Sequence, residues 1–192
     1  MTAIDAQAGR IGERIRGLRH ARGLTLVQLA DLAELSHPFL SQLERGLARP
    51  SIASLEKIAR ALGSSQVELL ASALQPVEGE DTPVSLVRAK SGPKGHYAEG
   101  QATMLALGDS RRFHPMELEG ANTEFGDPFL HAEDEFLHVV AGRIEVDLGE
   151  QGLFELEPGD SLYYVGGTPH RWRSLDGEGY RLFIVKETPA RQ

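Results

Sequence analysis

The sequence predicts a two-domain α+β chain: an all-α five-helix N-terminal domain followed by an all-β C-terminal domain. Three observations carry this prediction. Residues 10–74 read as amphipathic segments with short polar breaks, whereas residues 84–187 read as short alternating strands punctuated by Gly and Pro. Between them, Gln75-Pro76-Val77-Glu78-Gly79-Glu80-Asp81-Thr82-Pro83 is acidic and Pro/Gly-bearing, which is a linker composition. Charge divides at the same place: residues 1–74 hold nine Lys/Arg against seven Asp/Glu, and residues 75–192 hold eleven against twenty-one. The overall charge of −8 therefore averages a basic half and a strongly acidic half. The expected boundaries are a flexible tail at 1–9, a helical domain at 10–74, a linker at 75–83 and a β domain at 84–192.

The helices follow from their caps. Ile11, Ile15 and Leu18 share one face of a helix from about Arg10 to Arg22, which Gly23 ends. Thr25 opens the second helix with Gln28 three residues on, a capping box. Leu26, Leu29, Ala30 and Ala33 form its buried face, and Glu34-Leu35 is a turn. Ser36 caps the third helix, with Pro38 in the first turn, where a missing N–H costs nothing. That helix runs to about Glu44. Ser51 caps the fourth, whose apolar face is Ile52, Leu55, Ile58, Ala59 and Leu62, and Gly63 stops it. Ser65 with Glu68 is a second capping box and opens the fifth helix, through Leu74.

Composition sets limits. Hydrophobic residues make up 41% of the 192, enough for packed cores. There is no cysteine, which excludes disulfides, thiolate chemistry and Cys-ligated zinc. The first residues, MTAIDAQAGR, lack an apolar signal segment, and no apolar run reaches the ~18 residues that span a bilayer. The expectation is a cytoplasmic chain with no membrane association. Only the basic N-terminal half suits contact with phosphate.

The second and third helices, joined by a short turn, have helix-turn-helix proportions. The ordered set Leu24-Thr25-Leu26-Val27-Gln28-Leu29-Ala30, Leu35-Ser36, Leu40-Ser41-Gln42-Leu43-Glu44-Arg45-Gly46, Arg49-Pro50-Ser51 and Leu55-x-x-Ile58-Ala59-x-Ala61-Leu62-Gly63 resembles the phage-repressor-like, or xenobiotic-response-element (XRE), helix-turn-helix family. The resemblance implies a lambda-repressor-like DNA-binding domain whose partner is a double-stranded operator. A recognition helix buries Leu40 and Leu43 and turns short polar side chains outward. His37, Ser41 and Gln42 fall on that outer face, and Phe39 reaches its edge. Gln42 suits bidentate pairing with adenine, and an apolar ring suits a thymine methyl. Thr25, Gln28, Ser36, Arg45 and Arg49 suit phosphate contacts, which position without specifying. Glu44 is expected to serve structure, paired with a nearby Arg. The His37-Pro38 pair departs from the family, which usually has two polar residues there.

Two stretches mark the β half. One is His131-Ala132-Glu133-Asp134-Glu135-Phe136-Leu137-His138-Val139-Val140-Ala141-Gly142. The other is Leu156-Glu157-Pro158-Gly159-Asp160-Ser161-Leu162 with Val165-Gly166-Gly167-Thr168-Pro169-His170-Arg171-Trp172. They resemble the two motifs of the cupin superfamily, small jelly-roll barrels. That pattern supplies two histidines, a glutamate and a later histidine as metal ligands. Here His131, Glu135 and His170 match three of the four, and Phe129 holds the place of the first histidine. Strand alternation is expected to put His131 and Glu135 on one face, with His138 on the other. Three readings stand. The triad holds Zn, Ni, Mn or Fe(II); it lines a metal-free pocket with Phe129 and Trp172 for a small-molecule effector; or it is a hydrogen-bonded remnant. Glu133, Asp134 and Glu135 together favour a cation. His114 is expected to be structural, and His96, in a Gly-rich loop, is given no role.

The fusion implies a transcriptional regulator, with repression the expected mode, whose cupin domain senses an effector and dimerises. A homodimer would present two recognition helices to half-sites about one DNA turn, ~34 Å, apart. No catalytic activity is expected. The alternatives are a metal-dependent cupin dioxygenase or isomerase with a DNA-binding appendage, and an antitoxin-type repressor whose barrel only dimerises.

Overall fold

The computed structural model describes residues 3–73, 83–97, 99–107 and 111–188. Five helices come first: α1 (Ala3–Ala21), α2 (Leu26–Leu32), α3 (His37–Glu44), α4 (Ile52–Ala61) and α5 (Gln66–Ala73). Each cap read from the sequence is made. Thr25 Oγ1 accepts from Gln28 N at 3.2 Å while Gln28 Oε1 accepts from Thr25 N at 2.8 Å. Ser36 and Ser51 accept from Phe39 N and Ser54 N. Ser65 and Glu68 close the second box at 2.8 and 3.2 Å.

The first helix departs from expectation. It reaches back to Ala3, through residues read above as a loose tail. Alanine-rich sequence favours helix there, and Ala8 is buried. Most of the expected linker, with Leu74, lies outside the described residues.

The β half has nine strands: β1 (Lys94–Tyr97), β2 (Gly100–Met104), β3 (Phe113–Gly120), β4 (Glu135–Ala141), β5 (Ile144–Asp147), β6 (Leu153–Leu156), β7 (Ser161–Tyr164), β8 (Arg171–Ser174) and β9 (Tyr180–Glu187). They form a six-stranded sheet, β1-β2-β3-β9-β4-β7, facing a three-stranded sheet, β6-β5-β8, with every pairing antiparallel. This is the jelly-roll arrangement. Inward residues alternate along the strands, as in Leu118, Leu137, Val139, Leu182 and Ile184, and meet Ile144, Val146 and Trp172 of the smaller sheet. His96 lies on strand β1, correcting its placement in a loop.

The domains share material. Helix α5 carries apolar residues on more than one face, so it must be buried on more than one side. Leu69 joins the helical core, while Val67 and Ala71 join the core of the barrel. The approach of α5 to β1 is close: a Cβ at Gly95 would stand 3.0 Å from Val67.

Candidate functional site

The expected recognition surface is built by α2, the turn and α3. Glu34 takes a left-handed backbone, φ 51°, and Leu35 N bonds to Ala30 O at 2.9 Å, which reverses the chain. Leu40 and Leu43 are buried and seat α3. His37, Gln42 and Arg45 point outward and stay exposed with the barrel present; Ser41 is half-buried. Phe39 is half-buried and packs on the helical core, which limits its reach. Thr25, Gln28 and Ser36 are exposed, with side chains engaged in caps. Arg49 stands apart from them, lining a cleft of about 430 Å³ between α1, α4 and strands β1 and β2. Glu44 has the structural role expected, receiving Arg19 Nε at 2.6 Å and Nη2 at 2.9 Å.

The barrel brings His131, Glu135 and His170 together. One ligand atom from each lies within 4.8 Å of the others, and all three residues are buried. His131 sits in the loop before β4 rather than on a strand. Strand alternation therefore does not orient it, and loop contacts do. His131 Nδ1 lies 2.9 Å from the Glu133 carbonyl oxygen. His170 Nδ1 lies 3.0 Å from the Thr168 carbonyl oxygen. The Nε2 atoms of both rings are buried without a hydrogen-bond partner. Both face Glu135, at 3.3 Å from His131 and 4.0 Å from His170.

Glu135 receives two phenols: Tyr97 Oη donates to Oε2 at 2.5 Å, and Tyr164 Oη donates to Oε1. Burial alone would raise the Glu135 carboxyl, but the two histidines and Tyr164 outweigh it and hold it at about 2. Burial pushes His170 below the usual imidazole range, so its ring is neutral near pH 7, the form that ligates metals. Two orphaned ring nitrogens opposite one ionised carboxylate fit a divalent cation.

Phe129 and Trp172 close the site on its aromatic side. Phe129 pairs with His170 through both backbone hydrogen bonds. Its ring stacks on Tyr97 at 5.5 Å, and Trp172 stacks on His170 at 6.3 Å. Trp172 is also core, its Nε1 donating to Tyr180 Oη at 3.1 Å. His138 turns to the opposite face, with Nδ1 2.9 Å from Ser161 Oγ. His114 is buried and contributes to the electrostatics of Glu68.

Several residues that border the site escaped the sequence reading. Arg22 donates Nη1 and Nη2 to the two Glu133 oxygens at 2.5 and 2.7 Å. Arg60 of α4 lies 5.0 Å over the Phe129 ring and 3.3 Å from Asp127. Lys186 reaches Glu68 Oε2 at 3.1 Å, buried at both ends. Lys186 had a signal: it continues the inward alternation Leu182, Ile184, where a lysine demands a buried partner.

Comparison with known proteins agrees with both halves. A helix-turn-helix domain model matches residues 10–71, and a cupin domain model matches residues 114–186. The immunity repressor protein of Bacillus phage phi105 is 47% identical over 53 residues, covering 28% of this chain and 37% of the repressor. The chain thus spans well under two thirds of that relative. The transcriptional regulator PuuR of Escherichia coli K12 is 25% identical over 180 residues, 93% of this chain and 94% of PuuR. The crystal structure of an HTH_3 family transcriptional regulator from Vibrio cholerae superposes with a TM-score of 0.56 at 22% identity, covering 98% of this chain and all of that one. The likeness to the Vibrio protein is one of fold. The chain thus joins a helix-turn-helix domain, at residues 10–71, to a cupin domain, at residues 114–186.

Proposed function

We propose that this protein is a sequence-specific DNA-binding transcriptional repressor, acting as a cytoplasmic homodimer, whose barrel binds a divalent first-row metal ion as its effector. The observation that carries the effector reading is the pair of buried, unpartnered Nε2 atoms of His131 and His170 facing the ionised Glu135. A small polar molecule would need a donor for each of those acceptor atoms, whereas a cation takes a lone pair from all three. Bound there, the ion supplies positive charge that ties the loop of His131 to β4 and to His170. On the DNA side, Gln42 and His37 read bases from α3. Ser41 and Phe39 line its edge, and Thr25, Gln28, Ser36 and Arg45 hold phosphates. No helix among the described residues is long and apolar enough to cross a membrane.

The test is equilibrium dialysis of the full chain against Zn²⁺, Ni²⁺, Mn²⁺ and Fe²⁺ separately, beside Glu135→Gln and His170→Ala. One ion per chain, lost in both variants, is expected. Equal uptake by the variants contradicts the site.

A metal-dependent cupin enzyme is the second reading, since two histidines and one carboxylate with open positions also suit Fe(II) oxygen chemistry. Metal-dependent turnover of a substrate, unaffected by Gln42→Ala, would favour it.

A further inference from the structure

We infer that Glu133 is a positioning residue of the barrel site, and that it begins a relay through Arg22 and α1 by which ion occupancy reaches the recognition helix. The inference rests on the metal reading above. Each step is a contact. His131 Nδ1 lies 2.9 Å from the Glu133 carbonyl oxygen and 3.8 Å from its Oε2. A proton on Nδ1 donated to that carbonyl fixes the tautomer in which Nε2 offers its lone pair to the barrel centre. Glu133 is 4% exposed, so its charge needs a partner. The partner comes from the other domain: Arg22 closes a planar fork on both carboxylate oxygens.

Arg22 is itself held. Its Nε donates to Leu62 O at the end of α4, at 3.0 Å, and its backbone N bonds to Leu18 O at 3.0 Å, continuing the last turn of α1. Three residues earlier on that turn, Arg19 closes a second buried fork on Glu44, the last residue of α3. Arg19 Nη1 also donates to Leu24 O, just before α2. The path from His131 to α3 therefore runs through two guanidinium–carboxylate forks spaced one turn apart on a single helix.

A backbone contact keeps the relay tight. Gly63, at φ +58°, lies so near the His131 loop that a Cβ would stand 2.8 Å from Leu130 O and 2.9 Å from His131 Cβ. A shift of the His131 loop toward Gly63 on binding an ion meets backbone there rather than empty space. It is passed to Glu133 and to the α4–α5 turn. By linkage, whatever factor the ion applies to DNA affinity, DNA applies to ion affinity.

The test measures that factor in the full chain. DNA affinity is read by fluorescence anisotropy on a duplex from upstream of the protein's own gene. It is read without ion and at saturating Zn²⁺, Ni²⁺, Mn²⁺ or Fe²⁺, with ion uptake measured in parallel. The wild type is expected to show an affinity ratio of about fivefold or more. Arg22→Lys keeps the charge but loses the fork; it should still bind the ion and ion-free DNA, with the ratio falling toward one. Glu133→Gln keeps the backbone carbonyl that meets His131 and loses only the carboxylate charge of the Arg22 fork, so it should still take up the ion and lose the ratio at saturation. A wild-type ratio in Arg22→Lys or in Glu133→Gln overturns the relay while leaving the metal site standing. Failure of the wild type to take up any of the four ions overturns the metal reading and the relay with it.

Discussion

Lys186 on β9 and Glu68 on α5 form an ion pair across the domain junction, Nζ to Oε2 3.1 Å, with both side chains buried. Lys186 also donates to Gly63 O at 3.1 Å, and the hydroxyls of Ser64 and Ser65 donate to the same Glu68 oxygen. In the sheet, Lys186 stands opposite Glu135. One inward row thus carries both the Glu135 of the candidate site and the anchor of the helical domain.

Removing one partner of such a pair leaves a buried charge uncompensated. Lys186→Met should destabilise the chain by about 3–5 kcal/mol, and Lys186→Met with Glu68→Leu should recover only part of that, because Ser64 and Ser65 lose their shared acceptor. Urea unfolding checks both. The chain has one tryptophan, Trp172, in the barrel core, so its fluorescence reports the barrel while far-UV circular dichroism reports the helices. The two probes should coincide in the wild type and separate in Lys186→Met.

Acid should act through the same pair. Burial would raise the Glu68 carboxyl, but Lys186, His114 and Ser64 outweigh it and hold it well below its ordinary 4.5. A carboxyl depressed in the folded state contributes stability that is full above its unfolded value and lost as pH falls through the folded one. The urea midpoint should therefore fall as pH drops below about 4.5. In the Lys186→Met/Glu68→Leu pair that limb should be shallower, and an equal slope would remove Glu68 from the account.

Two glycines separate backbone strain from crowding. Gly23 and Gly63 both have positive φ, +65° and +58°, but a Cβ at Gly23 meets nothing within 4 Å. Gly23→Ala should cost about 1–2 kcal/mol, the price of the left-handed backbone. Gly63→Ala should cost about 1–3 kcal/mol more, because Leu130 and His131 must move. Thermal unfolding of the two variants measures the difference. Equal losses would mean the domains do not press on each other there.

On the DNA side, base and phosphate contacts part by specificity. Gln42→Ala should weaken operator binding by about 1–3 kcal/mol and relax one base position, whereas Arg45→Ala should weaken all sequences alike and lower the salt slope by about 1. Competition with single-base operator variants at two salt concentrations checks this.

Much of this was legible in the sequence. The caps at Thr25, Ser36, Ser51 and Ser65 are local chemistry, and each formed as read. The triad was legible because its spacing is a family pattern, although the loop position of His131 was not. Loop geometry depends on contacts such as that with Glu133, which alternation does not encode. The junction was least legible. Arg22, Glu133, Glu68 and Lys186 lie far apart in sequence, and a charged residue reads as surface until its partner is known. Lys186 alone carried a warning, through its place in an inward row. The start of α1 was misread because Ala8 becomes buried only through packing that the sequence does not display.

The most direct measurement of the central claim is binding of the wild-type chain to DNA from upstream of its own gene, against a scrambled duplex of equal length, with and without saturating metal ion. A clear preference for the native sequence is expected, with an affinity that changes when the ion is added. Equal binding to both duplexes at every salt and ion condition would contradict it.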